Sequence, residues 1–383
     1  MNQKKICLFT AHSPMVGGGG VIIRSLVANL PELSISWNYI VGIMVPGYEQ
    51  GYMGKGIKGE GFAKEMLQSW KMLSGRSSAV INELVAKLLA MDCDAYWVVS
   101  HNEGLRVALE LRRLQKERPV HLTFHDDWAG ALCARSSRYR LLTGWAQRLT
   151  VSALKETSTF DVISEGMKKY YKIISDREGD ICHRYLKAGS ITALTGNETS
   201  GTGKITAGHI GSIYDKSDFL SFLELLKEFA LAEGKDALLQ MWGCHLTIED
   251  VPPHLRGNII FHKELVEEQV IPLLARCDFV YSMYPFTNRL RLFAKTSLPT
   301  KLTSYVQAGR PVFGHGPADS TLADFLADTG TGIIWSDKHK DSGMKALTKI
   351  RHQHPGTNDW QVVREKYFGE KNLAVMRKAL NAV

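Results

Sequence analysis

The segment SLPTKLTSYVQAGRPV, residues 297–312, sets Pro299, Thr300 and Lys301 ahead of one short helical period, then a glycine and an apolar run. Proline suits the first turn of a helix, glycine its carboxyl cap, and a second proline blocks continuation. The spacing predicts a helix from Pro299 to Ala308, closed by Gly309 and Pro311. The positive end of its dipole and its amide groups then lie beside a lysine, a combination that attracts anions. No acid occurs from Phe279 to Ala318 in a chain holding 39 acids, whereas Arg289, Arg291, Lys295, Lys301 and Arg310 all fall there. The stretch reads as a phosphate or diphosphate cradle.

An apolar run precedes this helix and another follows it, which is the grammar of a parallel sheet. The same alternation extends in both directions. KICLFTA, AYWVVSH, VHLTFH and FDVISE read as buried strands of a first half. The polar stretch GSITALTGNETSGTG, residues 189–203, reads as a linker. KITAGHIGSIY, ALLQMWG, NIIFH, DFVYSMY, PVFGHG and GIIWS restart the pattern beyond it. Ile23, Leu26, Val27 and Leu30 share one helical face, as do Phe219, Phe222, Leu223, Leu226 and Phe229. The expectation is an α/β chain of two doubly wound parallel-sheet domains facing a central cleft. They span residues 1–190 and 204–357. The tail, residues 358–383, carries Trp360, Val363, Tyr367, Leu373, Met376 and Leu380 at helical spacing, and is expected to return to the first domain.

Composition agrees with a globular protein: 383 residues, 44% hydrophobic and 22% charged. The opening MNQKKICLFTAHS is too short in apolar residues for a signal peptide, and no segment approaches a membrane span. Six cysteines at scattered positions argue against a disulfide framework or a zinc site and for a reducing, cytoplasmic setting. The net charge of +8 favours an anionic partner without naming one.

Ligands in such sheets bind outside the carboxyl ends of the strands, so the strand ends supply the candidates. Gly17 to Gly20 open the first helix, where a backbone without side chains can approach a ligand closely. The spacing is neither the dinucleotide fingerprint nor a P-loop. His125, Asp126 and Asp127 follow the strand VHLTF. They suit acid–base work, hydrogen bonding or metal ligation, although an aspartate there also caps a helix. No second His/Asp cluster lies at ligand spacing, so no metal is expected. In the second half Gly211, Ser212 and Lys216 stand between the first strand and helix, where a lysine can neutralise phosphate.

GGGGVIIRSLVANL, TFHDDW, VISEGMKKYY, GHIGSIYDK and LPTKLTSYVQAGRPV occur in the order found in GT-B-fold glycosyltransferases. Nearly the whole chain resembles family 4 of those enzymes. The resemblance implies two Rossmann-like domains, an acceptor in the first and a nucleotide-sugar donor in the second. It implies retaining transfer with neither metal nor cofactor. It places Gly18 and Gly19 at the donor diphosphate, and His125, with Asp126 beside it, at the donor sugar. Lys216 looks like the family's diphosphate lysine, and Thr300, Lys301 and Leu302 like its donor loop. The sequence departs from the pattern in two places. Ser212 stands where the family has arginine, with Arg289, Arg291 or Lys295 as substitutes for the missing cation. Thr296 and Ser304 stand where it has two glutamates, the second of which grips the nucleotide ribose. A different nucleotide-sugar enzyme such as an epimerase, and a catalytically silent binding module, are the alternatives.

Two stretches bear on the acceptor. Pro46 to Met66, with six glycines, reads as too flexible for a core element. ARSSRYRLLTGWAQR mixes Arg135, Arg138, Arg140 and Arg148 with Tyr139 and Trp145, which suits an ordinary solvated helix, an acidic acceptor or a peripheral contact at the inner membrane surface. No nucleic-acid recognition motif is present.

Overall fold

The computed structural model describes residues 3–15, 17–57, 61–76, 78–135, 137–192, 203–353 and 355–382. Most of the linker, including Asn197, lies outside them, as do Lys58 and the side chain of Arg135. By contacts the chain divides into two units. One comprises Met1–Tyr185, Lys295–Leu298 and Glu370–Val383, and the other Leu186–Ala294 and Pro299–Gly369.

The first unit is built on strands β1 (Lys4–Thr10), β2 (Leu33–Tyr39), β3 (Ala95–Val99), β4 (Val120–Phe124), β5 (Thr159–Val162) and β6 (Asp180–Ile181). They pair in parallel in the order β2-β1-β3-β4-β5-β6. The central strands β3 and β4 are buried at every position; β3 reads as an unbroken apolar run, whereas β4 carries His121 and Thr123, both bonded to Asp161. The sequence reading missed β2 and β6. β2 is an edge strand in which Ser34, Ser36 and Asn38 interrupt the apolar signal, and β6 has two residues.

The second unit holds β7 (Lys204–Ile210), β8 (Asp236–Trp242), β9 (Ile259–His262), β10 (Phe279–Met283), β11 (Val312–His315) and β12 (Gly332–Trp335). Their order is β12-β11-β10-β7-β8-β9, all parallel. Counted from β7, this is the 3-2-1-4-5-6 arrangement of dinucleotide-binding sheets. Phe219, Phe222, Leu223, Leu226 and Phe229 of the helix Lys216–Ala232 are all buried in its core.

Three features differ from the sequence reading. First, residues 186–192 group with the second unit: Leu186, expected in the first domain, donates its N–H to Phe368 O at 2.7 Å, and Thr192, expected in the linker, donates its N–H to Gln307 O at 2.7 Å. Second, the tail divides at Gly369. The helix Thr357–Phe368 buries Trp360 and Val363 in the second unit. The helix Lys371–Ala382 places Leu373, Met376 and Leu380 in the core of the first. Third, the glycine-rich stretch is anchored, because Met53 and Ile57 are buried in the first unit's core. Ile57 N–H also donates to Glu103 Oε1 at 2.6 Å.

Met376 is fully buried, so Met376→Ala leaves a cavity in the first unit. It is expected to lower that unit's unfolding free energy by about 2–5 kcal/mol, read as a shifted urea midpoint at unchanged slope. A midpoint equal to wild type would detach this helix from the core.

Candidate functional site

An open parallel sheet leaves a crevice where strand order reverses, because connections on either side run in opposite directions. In the first unit that point lies between β1 and β3. A histidine stands just past the carboxyl end of each, His12 after β1 and His101 after β3. Their rings meet edge to face with centroids 5.7 Å apart. His125, past the neighbouring β4, lies 6.1 Å from His101. Three adjacent strands thus end in one imidazole cluster. Asn102, in the left-handed region at φ 49°, helps to hold it by donating its side-chain amide to Ala11 O at 3.0 Å.

Burial sets the charge of this cluster. His12 is pushed down to about 3, chiefly by loss of hydration and then by the neighbouring His101. His125 is also driven well below the ordinary histidine range, again by burial first. It is 6% exposed, and among the described residues neither of its ring nitrogens has a hydrogen-bond partner. Orphaned buried nitrogens cost stability and are retained where a ligand satisfies them. Asp126 lies 3.7 Å from His101 Nε2, and its carboxyl is raised to about 6 by burial, opposed by a hydrogen bond from Ser297. Near neutral pH the imidazoles of His12 and His125 are uncharged and can both donate and accept, which suits sugar hydroxyls.

Asp127 does the capping work that the sequence allowed for it. Its Oδ2 accepts from Gly130 N–H at 2.8 Å, and Tyr171 donates to its Oδ1 at 3.2 Å. The glycine run also has a local explanation. A Cβ on Gly20 would stand 2.6 Å from Ser13 O, and one on Gly19 3.1 Å from His12 Nε2. Gly19 therefore belongs to the histidine cluster. Gly18 is the first residue of the helix Gly18–Val27.

In the second unit the order reverses between β7 and β10. The predicted helix is observed as Lys301–Ala308, with Thr300 as its amino cap residue and Gly309 at φ 62° as its carboxyl cap. Tyr305 fixes it at the reversal point: its hydroxyl donates to Tyr281 O of β10 at 2.7 Å and accepts from Ile210 N–H of β7 at 3.3 Å. Lys301 Nζ therefore reaches Ser212 O at 3.2 Å and His209 Nε2 at 3.3 Å, with the Tyr214 ring 6.0 Å away. Burial lowers the Lys301 ammonium to about 7.

The remaining predicted residues fall as follows. Lys216 begins its own helix, is 48% exposed, and pairs with Asp250 Oδ1 at 2.8 Å. Such an exposed pair is worth little and exchanges readily for another anion. Leu302 has a fully buried side chain, and its amide already donates to Pro299 O at 3.0 Å, so it offers a ligand neither group. Ser304 donates to Glu267 Oε1 at 2.8 Å. Arg291 is engaged by Asp319 at 2.5 Å. Thr296 groups with the first unit, where its carbonyl accepts from Ser164 Oγ at 2.5 Å. Among the described residues, no group of three or more His, Cys, Asp or Glu is arranged to hold a metal ion.

Sequence reading missed His12, His101, His209 and Glu267. The strand-end rule that found His125 also reaches His12 and His101. Glu267 leaves no such mark, since only packing brings it to Ser304.

No protein-family model matches the chain, and no curated protein matches it significantly. Solved structures do. Sucrose-phosphate synthase from Thermosynechococcus elongatus superposes with a TM-score of 0.70 at 10% identity, over 99% of this chain and 98% of that one. A glycosyltransferase from Rickettsia africae gives 0.63 at 12% identity, over 99% of each chain. The catalytic domain of starch synthase IV from Arabidopsis thaliana, bound to ADP and acarbose, gives 0.59 at 10% identity, over 100% and 99%. The fold is that of the GT-B glycosyltransferases, with two Rossmann-like units.

Proposed function

We propose that the protein is a glycosyltransferase that moves a sugar from a nucleotide-sugar donor to an acceptor, with retention and with neither a metal ion nor a cofactor. The observation that carries this reading is the half-buried Lys301, held by Ser212 O and His209 at the strand reversal of a sheet in the dinucleotide-binding order. A lysine, a helix amino terminus and the loop that follows β7 suit the diphosphate of such a donor. Thr300, Ser212 and Lys216 complete that end. His125 orients the transferred sugar, and Asp126 holds His101 beside it. An imidazole driven as far below neutrality as that of His125 is a poor base. The departing diphosphate then takes the acceptor proton on the face it leaves, as retention requires.

The acceptor is a glycan, a lipid-linked sugar or a small molecule, reached from the first unit. A peripheral contact with an anionic membrane is supported by residues 138–148, where Leu141 is 82% exposed, Arg138 lies over the Phe62 ring at 5.0 Å, and Arg148 lies over Trp145 at 4.1 Å. No helix among the described residues is long and apolar enough to cross a membrane.

The test is a melting-temperature screen against nucleoside diphosphates and nucleotide sugars, followed by turnover assays with the stabilising donor. A ligand that binds only the native state at a hundred times its Kd stabilises by about 2.7 kcal/mol. The expected result is stabilisation by one nucleotide series. No stabilisation by any member of the panel would overturn the reading.

A further inference from the structure

A row of polar side chains lies in the first sheet where a sheet of this kind is ordinarily apolar. The register of β4 and β5 pairs His121 with Thr159 and Thr123 with Asp161, so these four side chains share one face. His121 joins Thr159 Oγ1 at 2.9 Å and Asp161 Oδ1 at 2.7 Å. Thr123 donates to the same Oδ1 at 2.6 Å and accepts from Trp97 Nε1 at 2.8 Å. His121, Thr123 and Asp161 are each no more than 1% exposed. Both hydrogen bonds to the carboxylate fall on one oxygen, and among the described residues none reaches Asp161 Oδ2. A buried acceptor left over in this way costs stability, and is retained where something else donates to it.

Asp161 and His121 line a cavity of about 280 Å³, room for about nine waters at roughly 30 Å³ each. Val375, Lys378 and Ala379 of the helix Lys371–Ala382 form its opposite wall, so the cavity lies wholly within the first unit. His121 and Thr159 stand at the amino ends of their strands, whereas the imidazole cluster lies past the carboxyl ends. The two places are separate. The charges of the wall balance: Asp161, Glu178 and Asp180 against Lys168, Arg177 and Lys378. Lys168 pairs with Glu178 at 3.2 Å and Lys378 with Asp180 at 2.9 Å, while Arg177 donates to Thr157 O at 2.6 Å and Ser158 O at 3.0 Å. An ion of either sign would meet its own charge here. Hydroxyl groups both donate and accept, and so suit a wall that offers carboxylates and ammonium groups together. We propose that this cavity binds a neutral polyhydroxylated molecule of monosaccharide size, one hydroxyl of which donates to Asp161 Oδ2. Because the last helix supplies one wall, an occupant stabilises the docked state of that helix. The proposal does not rest on the transferase reading.

The experiment is saturation-transfer NMR and calorimetry on the full chain with D-glucose, D-galactose and D-mannose, and with inorganic phosphate and methylammonium as ionic controls. At least one hexose is expected to bind with a Kd of about 1–10 mM, the order that about twelve heavy atoms give at modest ligand efficiency. Asp161→Asn should weaken it about tenfold, since a charge-assisted acceptor becomes a neutral amide. Val375→Trp fills the cavity from a half-buried position and should abolish binding while the melting temperature shows a folded protein. Should Asp161→Asn fail to fold, Val375→Trp decides the matter alone. Absence of hexose binding across that range would overturn the proposal. So would hexose affinity unchanged in Val375→Trp, which would place the sugar elsewhere, or tighter binding of phosphate or methylammonium than of any hexose.

Discussion

Lys301→Ala is expected to weaken binding of the preferred nucleoside diphosphate by about 1.5–3 kcal/mol, or roughly ten- to hundredfold, because a charge-assisted contact is lost. The effect carries a pH signature. Burial has lowered the Lys301 ammonium to about 7, so much of it is neutral in the empty site just above that pH. A bound diphosphate restores the charge and raises the pKa, so binding takes up a proton and affinity falls as pH rises above 7. The fold responds in the opposite sense. The same lysine titrates near 10.5 when unfolded, so the unfolded chain binds more protons between pH 7 and 10.5. Its cost to stability is therefore full below pH 7 and disappears as pH approaches 10.5. Calorimetry in buffers of different ionisation enthalpy would read proton uptake near one per ligand at pH 8–9 in wild type and none in Lys301→Ala. Equal uptake in both would remove Lys301 from the anion site.

His125→Ala is expected to lower turnover about a hundredfold, the low end for a group acting on the reacting centre. Nucleotide affinity should remain within a few-fold of wild type, since the anion cradle belongs to the second unit. The orphaned ring nitrogens motivate the size of this effect, as a buried imidazole without partners is kept at a cost to the fold. That cost supplies a control. His125→Leu should be no less stable than wild type while being as inactive as alanine. Wild-type turnover in either variant would take His125 out of the mechanism.

How far the sequence reached can be seen residue by residue. Most strands were legible because short runs rich in apolar residues alternate with helical periods, and β2 was not, because Ser34, Ser36 and Asn38 interrupt its apolar signal. The helix at Lys301 was legible because proline and glycine mark its ends. His125 was legible because it follows a strand directly. His12 and His101 follow theirs by one more residue, and the rule was not carried that far. The contacts of Ser304 and Gln307 with Glu267 were out of reach. They join helices separated by a strand and the short helix Arg291–Thr296, and no local periodicity records such a meeting. The lowered pKa of Lys301 was out of reach for the same reason, since burial belongs to the fold and not to the segment.

The helix Lys371–Ala382 has a consequence for how the protein is made. Domains usually fold in the order in which the ribosome releases them. Here the first unit's core includes Leu373, Met376 and Leu380, which emerge after the whole of the second unit. The opening half of the chain must therefore wait, its sheet assembled but one layer short, while the second unit completes itself. During that interval the apolar surface awaiting those three side chains is open to chaperones or to neighbouring nascent chains. A premature stop after Gly369 would spare the unit just synthesised and damage the one made first.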